Sequence, residues 1–146
     1  MIASVPAVVR VPASHIDLLT RPIIAVLTTM MPDGQPQSSL VWLDYDGTCA
    51  RTNTTLERQK GRNMLANRAV SLLVVDPDDT SRFIQIRGEA ELIEDGAIDH
   101  LDELTRSYTG HPRFYGHVYP LEQQGLETRV IVRVHARRIG LDAIHR

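Results

Sequence analysis

The residues with the most chemistry in them lie between Arg51 and Leu65, in the stretch RTNTTLERQKGRNML. Arg58, Lys60 and Arg62 put three cations within five residues, and Glu57 is the only acid nearby. A guanidinium offers paired donors and an ammonium a compact charge, the two groups that best hold a phosphate. A strand that ends in Thr52 and Asn53 is expected to run into Thr54 and Thr55 and then into a short helix. Either threonine can serve as N-cap for a first-turn amide, and the start of a helix attracts anions. Spacing puts Arg58 and Arg62 on one helix face and Lys60 and Asn63 on another. A basic surface helix is often no more than a solvated face. The Thr-Thr entry and the scarcity of acids argue for more than that. So does Gly61, which weakens a helix interior by about 1 kcal/mol against alanine. The segment reads as an anion site suited to a phosphate monoester or diester.

Elsewhere the chemistry is sparse. No GxGxxG, Walker A, GxSxG or HExxH pattern occurs. Of the six histidines only His111 and His117 are neighbours, and HPRFYGH holds no cysteine or carboxylate, so no metal site is expected. Ser38, Ser39, Ser71 and Ser81 have no paired base in view, so no nucleophile or catalytic residue is named. Any redox or group-transfer chemistry would then belong to a bound cofactor. Trp42 has two readings, a core tryptophan sharing a strand face with Leu40 or a wall for a planar ring. Cys49 is the only cysteine, which rules out an internal disulfide and fits a reducing cytosol.

These residues must be positioned by a chain of 146 residues with net charge −2, 42% hydrophobic and 23% charged. That describes one ordinary globular domain spanning 1–146, with no global field to recruit nucleic acid. No apolar run approaches a membrane span, and the start lacks the basic region of a signal peptide, so a cytoplasmic location is expected. Residues 1–13 read as an extended arm containing Pro6 and Pro12. Ser14 with Asp17 reads as a weak cap opening a short helix to about Leu19. Strands are expected over 23–29 (buried on both faces), 36–45, 48–53, 70–75, 83–93 and 127–139. Asp46-Gly47 marks a hairpin and Gly88 a bulge. The last strand should turn Val130, Val132, Val134 and Ala136 inward, with Arg129, Arg133 and His135 in part outward. Helices are expected over the basic segment and over 95–108 (with Ile98, Leu101 and Leu104 inward), and a long loop over 110–125. About six antiparallel strands with two or three helices, and no βαβ rhythm, make a mainly β fold that closes toward a barrel.

The succession IAVLTTMMPDGQPQSSLVWLDYDG, NTTLERQKGRNML, VSLLVVDPDD, IQIRGEAELIED and LTRSYTG resembles the pyridoxamine 5′-phosphate oxidase-like split β-barrel family. The likeness is nearest to its small F420-dependent (deazaflavin) branch and runs from about Ile16 to Ile139. It implies a homodimeric oxidoreductase whose cofactor lies at the subunit interface and passes a hydride to or from a small conjugated organic substrate. It also implies that Arg58 and Lys60 hold the cofactor phosphate, with Thr54 and Asn63 beside them. Gln37, Ser38 and the following strand with Trp42 would lie beside the ring, and Arg51, Thr52 and Asn53 under it. F420 is the expected cofactor, because Arg62 or Arg68 could meet its oligoglutamate tail. The alternatives are FMN, in a flavin reductase or oxidase, and a flavin- or deazaflavin-binding protein without turnover. True pyridoxamine phosphate oxidases carry a further C-terminal Arg- and Trp-containing substrate segment, so pyridoxal phosphate synthesis is not expected here, nor is haem handling.

Overall fold

A computed structural model describes residues 9–142. The strands are β1 (Ala25–Met30), β2 (Pro36–Val41), β3 (Asp44–Tyr45), β4 (Ala50–Thr55), β5 (Ala69–Val75), β6 (Phe83–Ile93) and β7 (Arg129–Leu141). The helices are α1 (Asp17–Thr20), α2 (Gln59–Ala66) and α3 (Ala97–Thr109), with 3-10 turns at Ala13–His15 and Leu121–Leu126. All the described strands join one antiparallel sheet in the order β2-β1-β5-β6-β7-β4-β3. The two edge strands, β2 and β3, are consecutive in the chain, with only Trp42 and Leu43 between them. Three Cα steps span at most about 11 Å. The edges are therefore drawn together, and the sheet curls into a half-closed barrel whose seam lies at Trp42–Leu43.

This seam explains why seven strands form where six were expected. The run Pro36–Tyr45 pairs with β1 through Val41 and with β4 from Asp44 onward, so it is broken by its change of partner. Thr52 Oγ1 fastens the break by donating to the Trp42 carbonyl at 2.6 Å. Leu18, Leu19, Leu27, Leu72, Ile84, Ile86 and Val132 fill the barrel and are fully buried or nearly so. Burying each such side chain stabilises the fold by roughly 1.5–3 kcal/mol.

Other expectations are corrected. In β1 only Ala25, Leu27 and Thr29 are buried, while Val26, Thr28 and Met30 are partly exposed, because one face of this antiparallel sheet is left uncovered. Neither Ser14 nor Asp17 caps a helix: Ser14 Oγ pairs with His15 Nδ1, and Asp17 binds Arg82 and Arg21. The loop 110–125 contains the second 3-10 turn. Of the 1–13 arm, residues 1–8 lie outside the described part.

Helix α2 begins later than expected. Strand β4 runs on through Thr55, and the helix opens at Gln59 after a turn in which the Arg58 amide donates to Thr55 Oγ1 at 3.2 Å. Neither threonine is the N-cap; Arg58 occupies that position with no side-chain cap. Gly61 has a steric explanation. A Cβ built on it would stand 2.0 Å from the Thr55 carbonyl oxygen, so α2 can lie against the end of β4 only if this residue is glycine. The Gly88 bulge has the same origin: a Cβ there would meet the His135 carbonyl oxygen at 1.9 Å, where the β6–β7 register shifts.

Two predictions follow from these contacts. G61A would stabilise a free helix, yet here it should destabilise the protein by about 1–3 kcal/mol, because backbone must move to admit the methyl. A urea midpoint equal to or above that of the wild type would contradict the close approach. The second concerns the β3–β4 turn. Burial would raise the Asp46 carboxyl, but the Cys49 and Thr48 amides and the Arg133 guanidinium outweigh it and bring the pKa from 3.8 to about 2. A carboxyl depressed by folding stabilises the folded state above its ordinary range and loses that contribution as the pH falls through its folded value. D46N should therefore be less stable than wild type near neutrality. The gap should close as pH drops from 3.8 toward about 2, which melting curves at a series of pH values would show.

Candidate functional site

The seam of the barrel, the start of α2 and the outer face of β4 and β7 under α3 meet around one cleft of about 210 Å³. It is lined by Ile24, Leu40, Val41, Trp42, Asn53, Arg58, Lys60, Leu101, Leu104, Phe114 and Arg129. One side is apolar and partly aromatic, the other cationic.

The aromatic side is built from the seam. Trp42 stacks on Tyr108 of α3 (centroids 5.4 Å apart, planes at 17°) and takes the edge of Phe114 at 6.2 Å. The Tyr108 hydroxyl donates to the Ile23 carbonyl at 2.7 Å and accepts the Leu43 amide at 3.1 Å. Burial pushes this phenol's pKa up, so it stays a donor. One side chain thereby clamps α3 to both chain segments at the seam and holds the Trp42 ring against it. Of the two readings of Trp42, the core one does not hold: Trp42 is only partly buried, and its neighbour in parity, Leu40, is 70% exposed.

The cationic side comes from three elements. Arg58 stands at the N-cap of α2, and Lys60, the second residue of the helix, donates to Ser39 Oγ on β2 at 3.1 Å. Arg129, expected to turn in part outward on β7, is buried at 6% exposure. Its face of the strand is covered by α3 and by the 114–119 loop, whose aromatic rings need a flat surface to pack on. Arg129 Nε donates to the Tyr115 hydroxyl at 2.8 Å, and that hydroxyl donates to Glu127 at 2.6 Å. The Arg129 guanidinium also lies over Phe114 at 4.8 Å and Tyr115 at 5.5 Å. Among the described residues lining the cleft there is no carboxylate. Burial first, and then repulsion from Arg58 and Arg129, pull the Lys60 pKa down. Arg58 is exposed, Lys60 half-buried and Arg129 buried, and an anion bound among them would relieve the repulsion on the two that have lost solvent.

Of the residues singled out in the sequence, Trp42, Asn53, Arg58 and Lys60 come together in this cleft. The others are placed outside its lining. Gln37 Oε1 accepts from Thr29, and Ser38 Oγ pairs with Thr28 Oγ1. Period-two alternation makes the adjacent Ser39 the serine that meets Lys60. Arg51 grips Asp44 with two bonds of 2.9 and 2.8 Å, and Thr52 fastens the seam. Thr54 is buried and its hydroxyl is without a partner among the described residues. Asn63 is buried too, bridging Thr29 Oγ1 and Gln59. Arg62, set on one face with Arg58 by the spacing, bonds instead to the Glu57 carbonyl and to Gln59 Oε1. Arg129, Phe114 and Tyr108 escaped the sequence reading. The available signal was a loop with Phe114, Tyr115 and Tyr119 but no strand or helix of its own to bury them. His111 and His117 stack at 5.7 Å, and no group of three or more metal-ligating side chains occurs among the described residues.

Comparison with known proteins bears on this geometry. No curated protein sequence matches the chain. Among solved structures, an F420 reductase superposes with a TM-score of 0.75 at 34% identity, covering 89% of this chain and 98% of the reductase. The conserved hypothetical protein Rv2991 from Mycobacterium tuberculosis gives 0.69 at 26% identity, over 92% of this chain and 86% of that one. A putative pyridoxamine 5′-phosphate oxidase from Listeria innocua shares the fold, with a TM-score of 0.59 at 22% identity over 81% of this chain and 86% of its own. The pyridoxamine 5′-phosphate oxidase family model matches residues 12–141, nearly the whole described chain. That match over most of the sequence shows that this chain belongs to the pyridoxamine 5′-phosphate oxidase family.

Proposed function

We propose that the protein is an oxidoreductase that binds the deazaflavin F420 and passes a hydride to or from a small conjugated organic substrate. The observation that carries this reading is the convergence of Arg58, Lys60 and Arg129 on one cleft beside the Trp42 ring, with no lining carboxylate among the described residues. That donor set fits a cofactor with an anionic phosphate at one end and a planar ring at the other. Arg58 and Lys60 would hold the phosphate, with Arg129 behind them; Trp42, Leu101, Leu104 and Phe114 would give the ring an apolar bed and keep water from it. When bound, the deazaflavin supplies the two-electron chemistry, and the protein's part is orientation and electrostatics.

The choice of F420 rests on the likeness to the F420 reductase. Charge does not decide it, because of the two residues named for the cofactor's tail, Arg62 and Arg68, Arg62 is engaged by the Glu57 carbonyl and Gln59. One observation favours FMN as the second reading. Three cations on so small a volume suit the dianion of a phosphate monoester at least as well as a diester.

We further propose a cytoplasmic homodimer that completes the site. A cleft of about 210 Å³ is smaller than the roughly 300–1,000 Å³ that encloses a ligand of this size. Its rim carries bare apolar residues, Ile24 at 49% and Leu40 at 70% exposure. Register sets Leu40, Val26 and Leu73 in a row across the outer face of β2, β1 and β5, an apolar strip suited to a second copy. Among the described residues no helix is long and apolar enough to cross a membrane.

K60A should weaken cofactor binding by about 1.5–3 kcal/mol, the contribution of a charge-assisted contact. Calorimetric titration with F420 and with FMN tests this, and an unchanged dissociation constant for both would end the assignment of the cationic side. Light scattering at micromolar concentration should give twice the 16.4 kDa chain mass. Only monomer, with cofactor binding intact, would show that one chain suffices.

A further inference from the structure

Behind the cleft a chain of polar side chains runs from β7 through α3 to the β3–β4 hairpin, and the donors along it can be counted. Asn53 Nδ2 lies 2.8 Å from the Ala97 carbonyl oxygen. A backbone carbonyl can only accept, so the atom facing it must be the amide nitrogen. On the other side Arg129 Nη1, which can only donate, faces Asn53 Oδ1 at 3.4 Å. Two independent neighbours thus set the same orientation of the amide. The second hydrogen on Nδ2 points at His100 Nδ1, 3.1 Å away. That ring nitrogen must therefore accept, which leaves the proton of the neutral imidazole on Nε2. Nε2 stands 3.1 Å from Asp44 Oδ2, and Asp44 is itself held by both arms of the Arg51 fork. Burial alone would raise the Asp44 carboxyl, but the bonds from His100 and Arg51 outweigh it and keep it ionised, an acceptor for Nε2–H. His100 is 3% exposed, so its ring nitrogens face these neighbours rather than bulk solvent.

We propose that His100, held as the neutral Nε2–H tautomer between Asp44 and Asn53, is a positioning residue that fixes the Asn53 carbonyl oxygen toward the cleft, so that the cleft selects ligands carrying an N–H or O–H donor beside their anionic end. This rests on the reading of the cleft as a ligand site. A carboxamide oxygen has two acceptor positions, and Arg129 takes one at the long distance of 3.4 Å. The other serves the ligand, and the polyol that joins ring to phosphate in F420 or FMN offers hydroxyls of the required kind. Protonation of His100 reverses the arrangement. Nδ1 would then donate, so two donors would face each other. Turning the amide over would relieve that clash only by setting its nitrogen against the donor Arg129 and its oxygen against the Ala97 carbonyl, so either orientation leaves the acceptor facing the cleft lost or unsupported.

Two variants separate positioning from simple packing. H100Q keeps the pattern, because glutamine offers an oxygen to Asn53 and an amide to Asp44 and does not titrate. H100L keeps the bulk and loses both bonds. In ligand-free protein at neutral pH, long-range proton–nitrogen correlation spectra, with the His100 signals identified by their absence in H100Q, should show a proton on Nε2 and none on Nδ1. A protonated Nδ1 overturns the proposal. Fluorescence titration with F420 and FMN as probes should show H100L weaker by up to about tenfold, the worth of one hydrogen bond, and H100Q close to wild type. Sulfate, which has no donor, should compete for the cations equally in all three proteins. Equal probe affinity in wild type and H100L, with sulfate competition intact, sinks the selection. Absence of sulfate competition in the wild type would instead remove the anion reading of the cleft, and the tautomer result would still be decided by the spectra.

Discussion

The fold depends on one crossing of the chain. Between Val41 and Asp44 the backbone leaves one edge of the sheet and joins the other, with two residues to do it. Everything that closes the barrel acts at this point. Thr52 takes the Trp42 carbonyl, Tyr108 takes the Leu43 amide and the Ile23 carbonyl, and Arg51 holds Asp44 on the far side. Edge strands expose unpaired amides and carbonyls, and bringing the two edges together with side-chain clasps limits that exposure. A Trp carbonyl and a Leu amide that would have gone without ladder partners are satisfied by neighbours of other elements. The same crossing turns the Trp42 ring out of the strand plane and onto α3. The seam and the aromatic wall of the cleft are consequently one structural event.

Charge gives the cleft its other half. Cations that fold against one another cost stability unless acids or solvent offset them. Here the offset is unequal. Arg129 has Glu127, two aromatic faces and Asn53, and so is well compensated. Among the described residues Lys60 has a serine hydroxyl as its hydrogen-bond partner, and burial first and then its cationic neighbours lower its pKa. An arrangement of this kind is held by the surrounding structure rather than by its own contacts. Gly61 is part of that holding, because only a residue without Cβ lets α2 lie on the Thr55 backbone and carry Lys60 to the seam.

Much of this was legible in the sequence. The alternation of β6 and the Gly88 bulge are local, and the structure has them where the periodicity puts them; in α3 Leu101 and Leu104 are buried as expected, while Ile98 is only half-buried. The cationic segment was legible as well, since Arg58 and Lys60 are close in sequence and close in space. Errors arose where a residue's role is set by something distant. A run from Pro36 to Tyr45 gives no local sign that its partner changes midway. Arg129 sits at an outward position of its strand, and its burial depends on a loop fifteen residues earlier folding back over it. Ser38 and Ser39 differ only in parity, which register alone decides. Gly61 looked like a weakness of the helix and is instead the condition of its placement.

The two halves of the cleft are coupled through α3, and this bears on how specificity could arise in so small a protein. Tyr108 fixes the C-terminal end of the helix to the seam, while His100, two turns earlier, reaches the Asn53 amide and Asp44. Leu101 and Leu104, on the same helix face, line the apolar side. A shift of α3 along its axis would therefore move the aromatic bed, the apolar wall and the amide acceptor together, while Arg58 and Lys60, on α2, would stay where they are. Anion binding and ring binding are in this sense separable. The cations respond to charge and distance, which many phosphates satisfy, whereas the helix-borne groups respond to shape and to donors, which few do. On the proposed reading of the cleft, discrimination among phosphorylated ligands would reside in α3 rather than in the basic segment that first draws the eye.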